Sequence, residues 1–310
     1  MRWATYLSAS DGAERVGLVH GGALHGLPPP TRLLDLLGGD GTRLAQAAEA
    51  AIRGPAEVLP LTDARMRAPV PVPPSIRDFM AFERHVATAT RALGRDMDPD
   101  WYELPVFYFS NPAAVHGPRD EVAIPPGCTR FDYELEVAAV VGRGGADLHP
   151  DDAEAHLAGY VVLCDWSARD LQAREMRQHL GPAKGKDSAT SFGPCLVTPD
   201  ELQPRRAGNA YDLRMTASVN GRLYSDGTLA DLYWSFGQLL AYASRGTRLV
   251  PGDVIGSGTV GGGCIAELSA TGGHDAYPWL QPGDTVRLEV EELGAIEARI
   301  TPGREPIPLR

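Results

Sequence analysis

Two glutamates in an apolar strand are the first residues of this 310-residue chain whose type and spacing could do chemistry. The segment Phe131 to Val141 reads FDYELEVAAVV. At period two it sets Phe131, Tyr133, Leu135 and Val137 on one face and Asp132, Glu134, Glu136 and Ala138 on the other. Glu134 and Glu136 then project together, about 7 Å apart along the strand. The run continues as Ala138-Ala139-Val140-Val141, apolar on both faces, as in a sheet interior. Carboxylates held side by side there repel and lose hydration, and an oxygen-bound divalent cation would offset both effects. A half-exposed strand with its glutamates in water fits the same letters.

Other residues could join that chemistry. Asp165 ends the apolar strand Tyr160 to Cys164, either as a turn residue or as a third carboxylate at a strand's carboxyl end. Ser167 to Asp170 is a capping-box-like helix start, which would put Arg169 and Gln172 on one helix face. Lys184 and Lys186 lie in the small-residue loop 182 to 195, where lysines are commonly solvated. Between Ile76 and Val86, Phe79, Phe82 and Val86 recur at helical spacing, which would place Asp78 and His85 two turns apart on one face. Gly256 to Gly261 spells GxGxxG, but no helix pattern follows it, so a dinucleotide fingerprint is rejected. Five glycines in eight positions point instead to backbone passing close to something.

The elements that must position these residues begin with two short strands, Arg2 to Leu7 and Arg15 to His20, about Ser10-Asp11-Gly12. Helical patterns at Thr31 to Leu37 and Leu44 to Arg53 follow. The proline-rich stretch Ala68 to Ser75 reads as a join. It divides a small α+β amino-terminal domain, residues 1–70, from a larger domain, 71–310. Short strands and turns fill Leu104 to Ile124, and a short helix covers Ala153 to Leu157. A hairpin turns at Asn220-Gly221. The apolar stripe from Leu229 to Ala243 is a core helix.

Composition narrows the classes. With 43% hydrophobic and 22% charged residues the chain is an ordinary globular one, and its net charge of −11 argues against a nucleic-acid or anionic-membrane partner. Four scattered cysteines form no CxxC pair, which suits reduced thiols in the cytoplasm. Met1 to Leu7 lacks a signal-peptide pattern, and no apolar run is long enough to span a bilayer.

Taken together, several segments resemble the fumarylacetoacetate hydrolase family. They are Arg77-Asp-Phe-x-x-Phe-x-x-His85, Leu104-Pro-Val-x-Tyr108, Asp132-Tyr-Glu-Leu-Glu136, Asp165-Trp-Ser-Ala-Arg-Asp-Leu-Gln172, Gly185-Lys186 and Gly256-Ser-Gly-Thr259. The resemblance implies a β-rich α+β fold, a rolled mixed β-sheet catalytic domain, commonly homodimeric, with a magnesium, calcium or manganese ion. It matches Glu134, Glu136 and Asp165 to metal carboxylates and Asp78 to a fourth. His85 matches a water-activating base, Glu267 the acid that orients it, and Lys186 the residue that stabilises developing negative charge. Tyr108, Arg169, Gln172 and Thr259 match substrate-contacting positions. Met80 and Met176 stand where the fumarylacetoacetate-specific members carry tyrosines, and an arginine that grips the distal carboxylate has no counterpart.

The expected activity is metal-dependent hydrolysis of a carbon–carbon bond in a 1,3-diketo acid, such as an acylpyruvate. The substrate is a small anionic keto acid. The alternative is an isomerase, decarboxylase or cyclase acting on a related enolisable 2-oxo acid. An intact His85–Glu267 pair favours hydrolysis, because pure isomerisation has less need of activated water.

Overall fold

The computed structural model describes all 310 residues. Its backbone is a 13-stranded mixed sheet. The main path runs Glu57–Pro60, Ala23–Gly26, Glu14–His20, Arg2–Leu7, Leu196–Val197, Leu157–Asp165, Leu135–Val141, Val254–Gly256, Ile76–Phe79 and Phe107–Ser110. Most neighbours are antiparallel, but Val254–Gly256 and Ile76–Phe79 run parallel. A second sheet holds Arg222–Thr228, Arg214–Val219, Thr285–Val290, Gly294–Thr301 and Val122–Ala123. The result is the β-rich α+β architecture expected.

Alternation along the central strand decides how the layers pack. Leu135, Val137, Ala139 and Val141 enter the main apolar cluster, together with Met215, Ala217, Leu288, Ile296 and Ala298 of the second sheet. Ala138 and Val140 enter a cluster on the other face, roofed by Leu44, Ala48 and Ala51 of the helix Thr42–Arg53. The amino-terminal strands extend the same large sheet, with Arg2 opposite Val197 and Trp3 opposite Leu196. No helix is long and apolar enough to cross a membrane.

Several local expectations need correction. The segment Phe131 to Val141 is not one strand. Phe131–Asp132 pairs with Ser167–Ala168 as a separate ribbon, and the chain enters the large sheet only at Leu135. The segment 76–86 is a strand, Ile76–Phe79, followed by the helix Glu83–Ala92. Pairing with Val254–Gly256 and Phe107–Ser110 overrides the helical spacing, so Asp78 and His85 do not share a helix face. Ser167 does not cap the helix Arg169–Met176. Its hydroxyl donates to the Asp165 carbonyl, and Asp170 turns away to Thr129. The stripe Leu229 to Ala243 is a 3₁₀ turn, Leu229–Asp231, and then the helix Phe236–Ser244, restarted by a Ser235–Gln238 capping box. Asn220 and Gly221 do turn the hairpin, both with positive φ.

After the glycine run there is a helix, Ile265–Gly272, where none was expected. It still offers no dinucleotide site. Its first free amides, those of Ile265 and Ala266, donate to the buried carboxylate of Asp132 at 2.8 and 3.0 Å.

Candidate active site

Strand register gathers the carboxylates. Gly256 pairs with Ala138 on one side and with Asp78 on the other, so Asp78 stands two strands from the glutamates. Asp165 ends the strand on the opposite side, paired through Cys164 with Leu135. Asp78, Glu134 and Asp165 each bring an oxygen to within 4.8 Å of the others, and all three are buried. Glu136 lies beside Asp78. It accepts from the Gly258 N–H at 3.1 Å and from the Thr259 hydroxyl at 3.4 Å. A methyl group on Gly256 would sit 2.4 Å from Asp78 Oδ1 and 3.3 Å from Glu136 Oε2. The glycine is therefore the gap through which these two carboxylates approach.

Lys186 is buried among them. Its ammonium donates to Glu134, to Asp165 Oδ2 at 2.7 Å and to Ser167 Oγ at 2.7 Å. Tyr108 donates to Asp78 Oδ2 at 2.9 Å and also contacts Asp165. Arg169 lies 2.8 Å from both Glu134 Oε1 and Asp132 Oδ2, and it donates to Gln172 Oε1 at 3.3 Å. Burial opposes the charge on Glu134, but Lys186 and Arg169 prevail and hold its carboxyl well below the usual range. Asp165 is pushed up to about 8, burial outweighing Lys186. Burial also raises Asp78, and it raises Glu136 strongly with help from the neighbouring carboxylates.

The donor set fits an oxygen-bound divalent cation. Asp78 Oδ1 and Asp165 Oδ1 are buried with no hydrogen-bond partner, an arrangement that costs free energy unless something positive takes them up. Asp78, Glu134 and Asp165 are the residues placed to hold such an ion, with Glu136 adjoining.

The second assembly is the pair His85 and Glu267. His85 Nδ1 lies 2.7 Å from Glu267 Oε2, and the other oxygen of Glu267 accepts from the Gly262 N–H at 3.1 Å. The helices Glu83–Ala92 and Ile265–Gly272, which carry the two residues, pack together. His85 keeps 13% of its side chain exposed, and its charge, when protonated, reaches Glu134. All eleven residues expected from sequence thus fall in one region.

Three contributors, Asp132, Ser167 and Cys264, had no site role legible in the sequence, and Gly256 only that of backbone passing close to something. Asp132 ties Arg169 to the amino end of the Glu267 helix, and Ser167 holds Lys186. Gly256 admits the carboxylates, and Cys264 Sγ lies 3.5 Å from Glu267 Oε2. Asp132 stood in the right motif, but its partners are 37 and more than 130 residues away.

Fold and site together define an enzyme superfamily with an acidic cluster at the centre of a mixed sheet. The family model for the fumarylacetoacetate hydrolase C-terminal region matches residues 75–301, and the chain belongs to that family. It is 33% identical over 192 residues to a human mitochondrial oxaloacetate tautomerase, covering 62% of this chain and 57% of that protein. It is 29% identical over 287 residues to a fumarylacetoacetase of Oryza sativa subsp. japonica, covering 74% of this chain and 66% of that protein. The match therefore spans less than two thirds of each relative's length. Among solved structures, a fumarylacetoacetate hydrolase from Exiguobacterium antarcticum superposes with a TM-score of 0.68 at 26% identity, covering 97% and 99% of the two chains.

Proposed function

We propose that the protein is a divalent-metal-dependent hydrolase that cleaves a carbon–carbon bond in a 1,3-diketo acid of the acylpyruvate type. The observation that carries the reading is the His85–Glu267 contact at 2.7 Å, beside a complete carboxylate cluster. When bound by Asp78, Glu134 and Asp165, with Glu136 adjoining, an ion such as magnesium supplies Lewis-acid polarisation of the substrate's oxygens.

The chain's own residues do the rest. Glu267 holds the Nδ1–H tautomer of His85, leaving Nε2 free to take a proton from water. The resulting hydroxide adds to the distal carbonyl. Lys186 has three donors, all engaged, and exchanging its bond to the neutral Ser167 frees one for the tetrahedral oxyanion. Collapse breaks the carbon–carbon bond, and the electron pair leaves on the 2-oxo acid fragment as its enolate. His85 then returns its proton to that fragment. Arg169, with Gln172, is placed for a substrate carboxylate, and Tyr108 and Thr259 for the oxygens near the ion.

Met80 and Met176 are both exposed and neither offers a hydroxyl, which favours a short or apolar acyl group over a fumaryl one. A second reading is tautomerisation of a 2-oxo diacid, the activity named for the human relative, since enolisation needs the acidic cluster and Lys186 but not an activated water. A second copy of the chain is the proposed macromolecular partner, and sedimentation showing only monomer would remove it.

The deciding experiment is His85→Ala with magnesium and a panel of acylpyruvates, with products identified by mass spectrometry. Cleavage should fall roughly 10²–10⁴-fold, the value of general-base help, while exchange at the enolisable carbon persists. Cleavage at the wild-type rate would pass the assignment to the tautomerase reading.

A further inference from the structure

Next to the oxygen cluster, a second set of side chains brings together unlike donors. A ring nitrogen of His85, Sγ of Cys264 and a carboxylate oxygen of Glu267 all lie within 4.8 Å of one another. Nδ1 is 2.7 Å and Sγ 3.5 Å from the same oxygen, Glu267 Oε2. Backbone fixes the arrangement. Cys264 bridges Glu134 and begins the helix on which Glu267 sits three residues later. The Gly262 N–H holds the other oxygen of Glu267, so Oε2 is the one presented. Cys264 and Glu267 are buried, while the partly exposed His85 gives an ion a way in.

Imidazole, thiolate and carboxylate with one open position form a zinc-type ligand set. Bonds of about 2.0–2.3 Å place such donors roughly 3.3–3.8 Å from each other in tetrahedral geometry. The 3.5 Å from thiol to carboxylate lies inside that range, and the 2.7 Å from ring to carboxylate is about 0.6 Å short of it, so the thiol can stay while the ring backs away by about that much. The neighbouring carboxylates offer oxygen alone and suit harder cations. Cysteine spacing gave no sign of this site, because His85 and Cys264 lie far apart in the chain and meet only through the fold.

We propose that His85, Cys264 and Glu267 form an inhibitory zinc site, and the inhibitory part rests on the reading of His85 and Glu267 as the water-activating pair. In that pair Nδ1–H donates to Glu267, and Nε2 carries the lone pair that accepts a proton. Zinc on Nδ1 moves the ring proton to Nε2 and occupies Glu267 Oε2, so the base is lost. One proton is released, from Cys264 Sγ. Asp78, Glu134, Asp165 and Lys186 keep their places.

Two readouts test it. Cobalt(II) titrated into magnesium-saturated protein should produce a near-ultraviolet thiolate-to-cobalt absorption, absent in both Cys264→Ser and Cys264→Ala. Absence of the band from the wild type, or its persistence in folded variants, overturns the site whatever the enzyme's activity. Zinc at buffered concentration should stop cleavage of an acylpyruvate while leaving exchange at its enolisable carbon. Each cysteine variant, compared with its own zinc-free rate, should need at least roughly 10–100-fold more zinc, since losing even a residue that only hydrogen-bonds a metal's ligand costs that much. Equal zinc sensitivity in the variants, or inhibition relieved in proportion to added magnesium, would place zinc on the carboxylates and refute the proposal. If no cleavage is found with any substrate, the hydrolase reading fails, and the cobalt band still decides the site.

Discussion

Gly256 is the smallest residue of the site and sets its width. Because a methyl there would lie 2.4 Å from Asp78 Oδ1, Gly256→Ala should push that carboxylate aside while the strand pairing persists. Magnesium affinity by calorimetry should fall roughly 10–100-fold. Unchanged affinity would place Asp78 outside the ion's shell. The raised carboxyls give a pH prediction for the metal-free protein. Asp165, at about 8, binds a proton when folded that the unfolded chain has released by about pH 5, and Asp78 and Glu136 shift in the same direction. Their contribution to stability is therefore complete below about pH 4 and is lost as pH rises toward 8. Glu134, held low, contributes in the opposite sense and loses its share as pH falls through the acid range. An ion displaces the bound protons, so magnesium binding near pH 7 should release protons, and less so above about pH 8. Binding enthalpies that do not change with the buffer's ionisation heat would contradict this. The carboxylate pair was legible from strand periodicity because a period of two is a local property. Nothing local marked Lys186, a loop lysine until Glu134 and Asp165 close around it.

Asp132 shows what is decided at the level of elements. Its carboxylate is wholly buried and accepts from Arg169 Nε at 2.9 Å and from the first two amides of the helix Ile265–Gly272. One side chain thus fixes Arg169, the arginine proposed to bind substrate, and the helix that carries Glu267. Asp132→Ala would strip both at once. Breaking a buried charged pair costs about 3–5 kcal/mol, an upper bound here because Arg169 keeps Glu134. KM should rise through Arg169 and kcat should fall through Glu267, with magnesium affinity changed far less. Asp132→Asn, which keeps the shape and one acceptor, should recover part of both. A variant that merely loses folded protein, with KM and kcat normal in what remains, would reduce Asp132 to scaffolding. The helix itself was invisible in sequence because Gly261 to Cys264 precede it and its capping group lies on a strand 133 residues earlier. The segment 76–86 misled for a related reason. Its apolar spacing suits a helix, and only the partners Val254–Gly256 and Phe107–Ser110 make Ile76–Phe79 a strand.

Across the whole molecule, the proline-rich join Ala68 to Ser75 supports a proposed boundary near residue 70, yet the two sides share a sheet and a core. The strand Arg2–Leu7 lies between Glu14–His20 and Leu196–Val197, and Arg65–Met66 pairs with it as well. The second apolar cluster joins Trp3, Leu18, Leu33 and Leu44 of the amino-terminal part to Val140, Val161, Leu163, Phe192, Leu196 and Val254 of the rest. Removing residues 1–70 would bare those last six side chains. Full exposure of each costs about 1.5–3 kcal/mol, so the sum rivals the 5–15 kcal/mol by which folded domains are typically stable. The central strand Leu135–Val141 has Ala138 and Val140 on the bared face and the carboxylates near its start, so the damage would reach the site. A chain of residues 71–310 should therefore be aggregated or largely unfolded when expressed alone, by sedimentation and circular dichroism. Limited proteolysis of the intact protein should likewise release no stable fragment cut between 68 and 75. A monodisperse 71–310 chain with wild-type melting behaviour and magnesium affinity would show that the amino-terminal part is a separate body resting on a self-sufficient catalytic sheet.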